Sequence, residues 1–208
     1  MSGYETEEQQ IDAIKSWWKD YGTKIVFAVV IGVGGLVGGK AWLNYQETNR
    51  TSASAEYQQL TEELKAGQFD SVTVRAEHII STFSNTAYAS LAALSLAKVK
   101  MESGEIAAAR SKLQWAMENA KQEDIKQVAR LRLARAMIAD GQATAALALF
   151  EGAQKKSYSA LSNEVKGDAY VANGQHDQAR SAYTAAIEAL TDRDDRRILQ
   201  MKLDDLGS

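Results

Sequence analysis

Glycine recurs along this chain at nearly constant intervals, each time followed by Gln or Glu. Gly67, Gly104, Gly141 and Gly174 are separated by 37, 37 and 33 residues. Each one ends an amphipathic stretch and precedes another, and a tight turn between helices often needs the positive φ that glycine adopts easily. The chain contains no proline, the residue that most strongly disrupts helix interiors. The sequence therefore predicts an all-α repeat array with glycine turns.

The repeats follow the spacing of tetratricopeptide helix pairs. In the clearest unit, Leu161 to Leu190, small residues at Gly167 and Ala179 predict a close crossing of the paired helices, and Tyr183 fills space between pairs. The other consensus positions of this unit are Tyr170, Gly174, Asp177 and Ala186. Earlier units place Ala134, Gly141, Ala146, Phe150 and Ala153, and then Ala97, Gly104, Ala109, Leu113 and Ala116, in the same register. The first unit, with Val72 at the small position, is degenerate.

This periodicity predicts a tetratricopeptide-like α-solenoid over residues 44–208. The expected helices are 53–66, 70–83, 87–103, 106–120, 124–140, 143–153, 159–173, 176–190 and 193–206. The last is short and charged, with Asp192 and Asp194 near its start, where they suit the helix dipole. We expect it to be a C-terminal capping helix, because a solenoid must cover the open apolar face of its final repeat.

An uncharged run from Ile25 to Gly39 lies between Lys24 and Lys40. It is short for a bilayer, which needs about 20 residues, but snorkelling lysines extend the predicted transmembrane helix to 24–43. The alternatives are a cleaved signal peptide and a buried core helix. A signal peptide normally begins with a short basic segment, whereas here 24 residues rich in acidic side chains precede the run.

The flanking segments indicate how the span sits. Residues 1–23 form a tail whose apolar side chains share one helical face, which predicts an interfacial amphipathic helix at the lipid headgroups. These side chains are Ile11, Ile14, Trp17, Trp18 and Tyr21. Three lysines on the N-terminal side against Lys40 and Arg50 beyond the span weakly favour a cytoplasmic N-terminus and an exported array.

A stripe of small residues runs along one face of the span at Ala28, Gly32, Gly35 and Gly39. Such a stripe allows close approach of a second membrane helix, so we interpret it as a transmembrane packing surface. The alternative is that glycine is simply common in membrane spans.

No motif predicts an enzyme, a metal site or a cofactor. The chain has no cysteine, and its two histidines are 98 residues apart. The glycine-rich run GVGGLVGG lies inside the apolar span rather than after a strand. A basic ridge at Lys126, Arg130, Arg132 and Arg135 lacks interleaved aromatic residues, and the net charge is −3, so nucleic-acid binding is not predicted.

The repeat register predicts instead a concave surface made by the first helix of each pair. The candidate protein-binding positions are Tyr57, Leu64, Leu94, Lys98, Met101, Arg135, Ile138, Glu164, Asp168 and Val171. Leu64, Met101, Ile138 and Val171 occupy one equivalent position in four repeats, an apolar stripe that suits an extended or helical peptide. The alternative is that these residues only pack the solenoid.

The complete arrangement resembles the YfgM family of ancillary SecYEG translocon subunits. The resemblance covers the acidic tail, the glycine-rich span, the degenerate repeats and the charged end QMKLDDL. It implies a single-pass bacterial inner-membrane protein with a cytoplasmic N-terminus and a periplasmic array. It also implies association with SecYEG and the membrane-anchored chaperone PpiD, contact with membrane lipid and with exported client proteins, and no catalytic residues.

The leading hypothesis is therefore a non-catalytic translocon subunit that helps pass exported proteins to periplasmic chaperones. A second hypothesis keeps the architecture but makes the chain an envelope scaffold or assembly factor for another inner-membrane complex. A third inverts the topology, so that the array serves as a regulatory scaffold in the cytoplasm.

Overall fold

A computed structural model describes residues 7–152, 156–190 and 193–207, and over these residues the chain is helical without strands. The helices are α1 Glu7–Lys65, α2 Phe69–Thr82, α3 Ala87–Glu102, α4 Ile106–Asn119, α5 Glu123–Ala139, α6 Ala143–Ala148, α7 Ser159–Ala172, α8 His176–Ala189 and α9 Arg193–Asp205. A single 3₁₀ turn, Lys156–Tyr158, precedes α7. The all-α prediction is confirmed.

Two predicted boundaries differ from the structure by more than one residue. The helix expected to begin at residue 53 is the end of α1, which is continuous from Glu7 because residues 44–52 contain neither proline nor glycine. Helix α6 ends at Ala148, not at 153, because the amides of Leu149, Phe150 and Glu151 donate to carbonyls three residues back, which tightens the last turn. Ala153 and Asp192 lie outside the described residues, as does the side chain of Asp194.

The four repeating glycines end helices in the same way. Gly67, Gly104, Gly141 and Gly174 have φ values of 70°, 75°, 73° and 72°. Each glycine N–H donates to the carbonyl three residues earlier, and the next residue's N–H donates to the carbonyl five residues earlier, at 2.8–3.2 Å. This is the Schellman motif, in which a left-handed residue satisfies the last carbonyls of a helix. The motif fixes each hairpin turn at its glycine.

Contacts divide the chain after Asn49 into the units Met1–Asn49 and Arg50–Ser208. In the first unit the apolar side chains of α1 are solvent-exposed: Phe27 is 65%, Ile31 72% and Leu36 76% exposed. Among the described residues, one helix is long and apolar enough to cross a membrane, and none of its apolar window is buried. The exposure excludes a buried core helix and supports the transmembrane prediction. The exact limits 24–43 and the interfacial tail 1–23 stay predictions.

The second unit is a solenoid of helix pairs. Each helix from α2 to α8 packs on the next, and α5 also packs on α3 and α7, its counterparts in the neighbouring pairs. Alanine occupies many crossings, including Ala76, Ala109 and Ala179, all fully buried. The stacked first helices thus share one side of the array, as the repeat register predicts.

The close crossing predicted at Gly167 is confirmed. The Tyr183 ring of α8 lies over Gly167 of α7, where a Cβ atom would come within 2.3 Å of the ring. Helix α9 then packs on α8, burying Leu199 to 3% exposure against Tyr183 and Ala186. The C-terminal helix therefore caps the last pair, as predicted.

Candidate protein-binding groove

Two adjoining pockets open along the first helices of the array. The larger, of about 430 Å³, lies between α1, α3 and α5. It is lined by Tyr57, Leu64, Leu91, Leu94, Ser95, Lys98, Asp124, Ile125, Val128, Arg132 and Tyr158. The smaller, of about 270 Å³, is lined by Leu94, Ala97, Lys98, Met101, Leu113, Arg132, Arg135 and Ala136. Because Leu94, Lys98 and Arg132 line both, the pockets form one continuous surface, which we call the central groove.

The floor of the central groove is apolar and set by the solenoid core. Leu94 is 6% exposed, while Leu64 and Met101 are half-buried against the same core cluster. The Tyr57 and Tyr88 rings pack with their centroids 5.8 Å apart, which holds Tyr57 at the edge of the larger pocket. Charged groups occupy the rim, where Lys98 and Arg135 are exposed. An apolar floor with a polar rim can bind a polypeptide without any covalent chemistry.

Six of the ten predicted groove residues meet in the central groove, and the other four do not. The six are Tyr57, Leu64, Leu94, Lys98, Met101 and Arg135. Ile138 packs half-buried on a second core cluster, and Val171 is 38% exposed at the end of α7. The four residues of the predicted apolar stripe nonetheless occupy equivalent backbone positions, since the carbonyl of each accepts a hydrogen bond from the N–H of a repeating glycine. Its first two members, Leu64 and Met101, line the central groove.

Glu164 and Asp168 are engaged by the capping helix. Lys202 of α9 reaches Glu164 Oε1 at 2.9 Å and Asp168 Oδ1 at 2.7 Å, and Arg135 lies 3.5 Å from Glu164. Burial alone would lower the pKa of Lys202, but the hydrogen bonds and charges of the two carboxylates outweigh it and raise that pKa. These two carboxylates therefore link α7 to α9 through ion pairs with Lys202.

Several residues of the groove and of the contact between α7 and α9 are not among those predicted from the repeat register. Arg132, Leu91, Ile125 and Val128 line the groove on α3 and α5. Arg132 belongs to the basic ridge. Leu91 lies one turn before Leu94, whereas Val128 and Ile125 lie about two and three turns before Arg135, so finding all three requires the first-helix register to be extended to the start of α5. Lys202 carried no such signal, because helical periodicity does not reveal which face of α9 meets α7.

The described residues contain no group of three or more His, Asp or Glu side chains that could hold a metal ion. His78 packs edge-on against Phe83 at a centroid distance of 6.0 Å, and His176 is exposed at the start of α8. The transmembrane stripe is open: a Cβ atom at Gly32, Gly35 or Gly39 would meet nothing within 4 Å, and Ala28 is exposed. Its use as a packing surface stays a prediction.

Comparison with known proteins agrees with this architecture. Residues 15–208 match the tetratricopeptide repeat-like domain family. The chain is 31% identical over 207 residues to the ancillary SecYEG translocon subunit of Escherichia coli, covering the whole of both chains. It is 30% identical over 200 residues to the protein of that name in Haemophilus influenzae, covering 96% of this chain and 97% of that one. For Neisseria gonorrhoeae the values are 26% over 209 residues, with 99% and 100% coverage.

The relatives are named as translocon subunits and the matched family as a repeat fold, and neither is an enzyme class. The exposed apolar helix of the first unit and the relatives' names both fit a membrane protein. Full-length similarity, together with the matching repeat architecture, shows that the chain belongs to the family of ancillary SecYEG translocon subunits.

Proposed function

We propose that this chain is a non-catalytic ancillary subunit of the Sec translocon whose periplasmic array helps pass exported proteins to periplasmic chaperones. The central groove carries the proposal. It offers an apolar floor at Leu94 and Met101 with exposed cations beside it, in a chain that also carries a membrane anchor. Such a surface suits reversible binding of unfolded segments. The relatives' names support SecYEG as the partner, and the family resemblance supports PpiD as a second one.

The test is photo-crosslinking from single positions in intact membranes. A photoreactive residue at Met101 or Arg135 samples the groove, and one at Val74, which is 73% exposed on α2 and outside the groove, is the matched control. We expect adducts with a translocon subunit, PpiD or an exporting chain from the groove positions and not from Val74. Absence of all three adducts would contradict the proposal.

Topology and partner class need separate measurements. Protease added to spheroplasts should digest the array without lysis, since we place residues 44–208 in the periplasm; digestion only after lysis would indicate the inverted topology. Purification of the full chain in mild detergent should recover SecYEG. A stable partner outside the export machinery would favour the alternative of an envelope scaffold for another inner-membrane complex.

The open glycine stripe belongs to the same proposal. We propose that Ala28, Gly32, Gly35 and Gly39 pack against a transmembrane helix of a partner. Leucine at Gly35 should weaken co-purification of that partner, whereas leucine at Val30, which is already large and 62% exposed, should not.

A further inference from the structure

The central groove concentrates its positive charge at one place. Lys98 and Arg132 line both pockets, so they lie where the pockets meet, and Arg135 extends the cationic edge into the smaller pocket. Among the lining residues of the two pockets that the structure describes, the acidic one is Asp124, which lines the larger pocket alone. The junction of the pockets is therefore positively charged, although the chain as a whole has a net charge of −3.

The chain's own carboxylates form only weak or shared ion pairs with these cations. Within the described part of the chain Arg132 forms no ion pair, and Lys98 faces Glu102 at 3.7 Å with 59% of its side chain exposed. An exposed pair four residues apart on one helix is easily exchanged for another partner. Arg135 shares Glu164 with Lys202, which is the closer of the two cations. The junction can therefore accept a carboxylate from outside.

Apolar surface lies on both sides of the charged junction. In the larger pocket it comes from Tyr57, Leu64 and Val128, and in the smaller pocket from Met101, Leu113 and Ala136. The groove thus has an apolar region in each pocket and a cationic region where the two pockets meet. A complementary segment has the order apolar, acidic, apolar.

Resting on the proposed role as a binder of exported chains, we propose that the central groove selects polypeptide segments whose carboxylates lie between two groups of apolar side chains. The apolar groups are buried on the floor, and the carboxylates replace water and Glu102 at Lys98 and Arg132. A segment with lysine or arginine at the same place meets like charge at the junction, which disfavours it. Selection then comes from repulsion as well as attraction.

The experiment uses the full chain in nanodiscs of zwitterionic phosphatidylcholine and three labelled peptides. Each peptide has two leucine pairs in a glycine and serine frame, separated by a pair of glutamates, glutamines or lysines. Fluorescence anisotropy gives Kd, with empty nanodiscs subtracted. We expect the glutamate peptide to bind roughly tenfold more tightly than the lysine peptide at low salt, and the preference to shrink as salt screens the charges.

Charge reversal identifies the groove as the site. The variant Lys98→Glu with Arg132→Glu should invert the order of the glutamate and lysine peptides, and Lys98→Gln with Arg132→Gln should abolish the preference. The control Lys121→Glu with Arg180→Glu makes the same change in net charge at exposed positions outside the groove and should keep the preference. Circular dichroism confirms that each variant is folded.

Several outcomes would overturn this inference. Equal binding of the three peptides, binding of none, tighter binding of the lysine peptide, or an equal effect of the control variant would each contradict charge selection by the groove. Equal binding leaves the proposed translocon role intact. Loss of crosslinks to the export machinery would instead remove that role, whatever the peptides show.

Discussion

Lys202 Nζ lies 2.7 Å from Asp168 Oδ1, and the same oxygen accepts a hydrogen bond from Tyr183 Oη at 2.8 Å. One carboxylate oxygen of α7 thereby joins α8 and α9. Lys202 also reaches Glu164 at 2.9 Å. The last pair and its cap are therefore held by a polar cluster as well as by Leu199.

Lys202→Met should destabilise the cap. The change leaves Asp168 without its cation and Glu164 with the more distant Arg135 alone, and we expect a loss of about 1–2 kcal/mol, since the lysine side chain is 30% exposed and partly screened. Urea unfolding of the full chain, followed by circular dichroism, measures it. Lys121→Met, at an exposed position, is the control and should stay within about 0.5 kcal/mol of the original. Equal losses in the two variants would contradict the role of the cluster.

Alkaline pH should weaken the same cluster. Burial and then the Asp168 hydrogen bond raise the pKa of Tyr183 above its ordinary 10.0, and the carboxylates raise that of Lys202 above 10.5. Because the folded state favours both protonated forms, their contribution is complete below these ordinary values and is lost as pH rises through the folded pKa values. We expect the free energy of unfolding to fall above about pH 10.

Tyr183→Phe combined with Lys202→Met removes both titrating groups. Its unfolding free energy should fall less than that of the original chain over the same alkaline range. An identical pH profile for the two proteins would show that other groups cause the alkaline loss.

Gly167→Ala should destabilise the array, although replacing a glycine in a helix by alanine usually increases stability. Alanine normally stabilises a helix interior by about 0.5–1 kcal/mol, but here its Cβ would lie 2.3 Å from the Tyr183 ring. We expect a net loss of about 1–3 kcal/mol in urea unfolding. In a Tyr183→Leu background the same change should be less harmful, because the ring is gone. Increased stability of the single variant is the contrary result.

Arg75→Lys should weaken the first helix pair even though it keeps the charge. The Arg75 guanidinium donates from Nε and Nη2 to Glu63 of α1, at 3.0 and 2.8 Å, and its Nη1 contacts Glu56. Lysine cannot reproduce this fork, so we expect a loss of about 0.5–1.5 kcal/mol in thermal or urea unfolding. Arg180→Lys, on the exposed side of α8, should have no measurable effect. Matching losses at both positions would refute the specific contribution of the fork.

The sequence predicted those parts of the fold that depend on local conformation. A left-handed turn requires glycine, so Gly67, Gly104, Gly141 and Gly174 marked the hairpins directly. Small residues at helix crossings had the same diagnostic value, as Gly167 shows. The length of α1 is harder to predict, because the change from apolar to polar side chains at Asn44 suggests a domain boundary although nothing there breaks a helix.

The repeat register predicts which face of each first helix lines the groove, and the residues of the candidate site that depend on this register alone could be predicted. That register placed Tyr57, Leu64, Leu94 and Met101 in the central groove. It does not predict the pairing of Glu164 and Asp168 with Lys202, because α9 does not belong to a repeat. The docking of a capping helix depends on tertiary packing, and periodicity within α7 contains no information about it.

The described residues of the array form three clusters of buried side chains, and we expect the clusters to differ in local stability. The clusters centre on Leu60 and Leu96, on Phe150 and Val165, and on Tyr183 with Leu199. Neighbour-only packing lets such units open one at a time, so amide hydrogens of α8 and α9 should exchange with solvent before those of α3. The central groove is built on the first and largest cluster. The array can therefore fray at its C-terminal end while its binding surface keeps its shape.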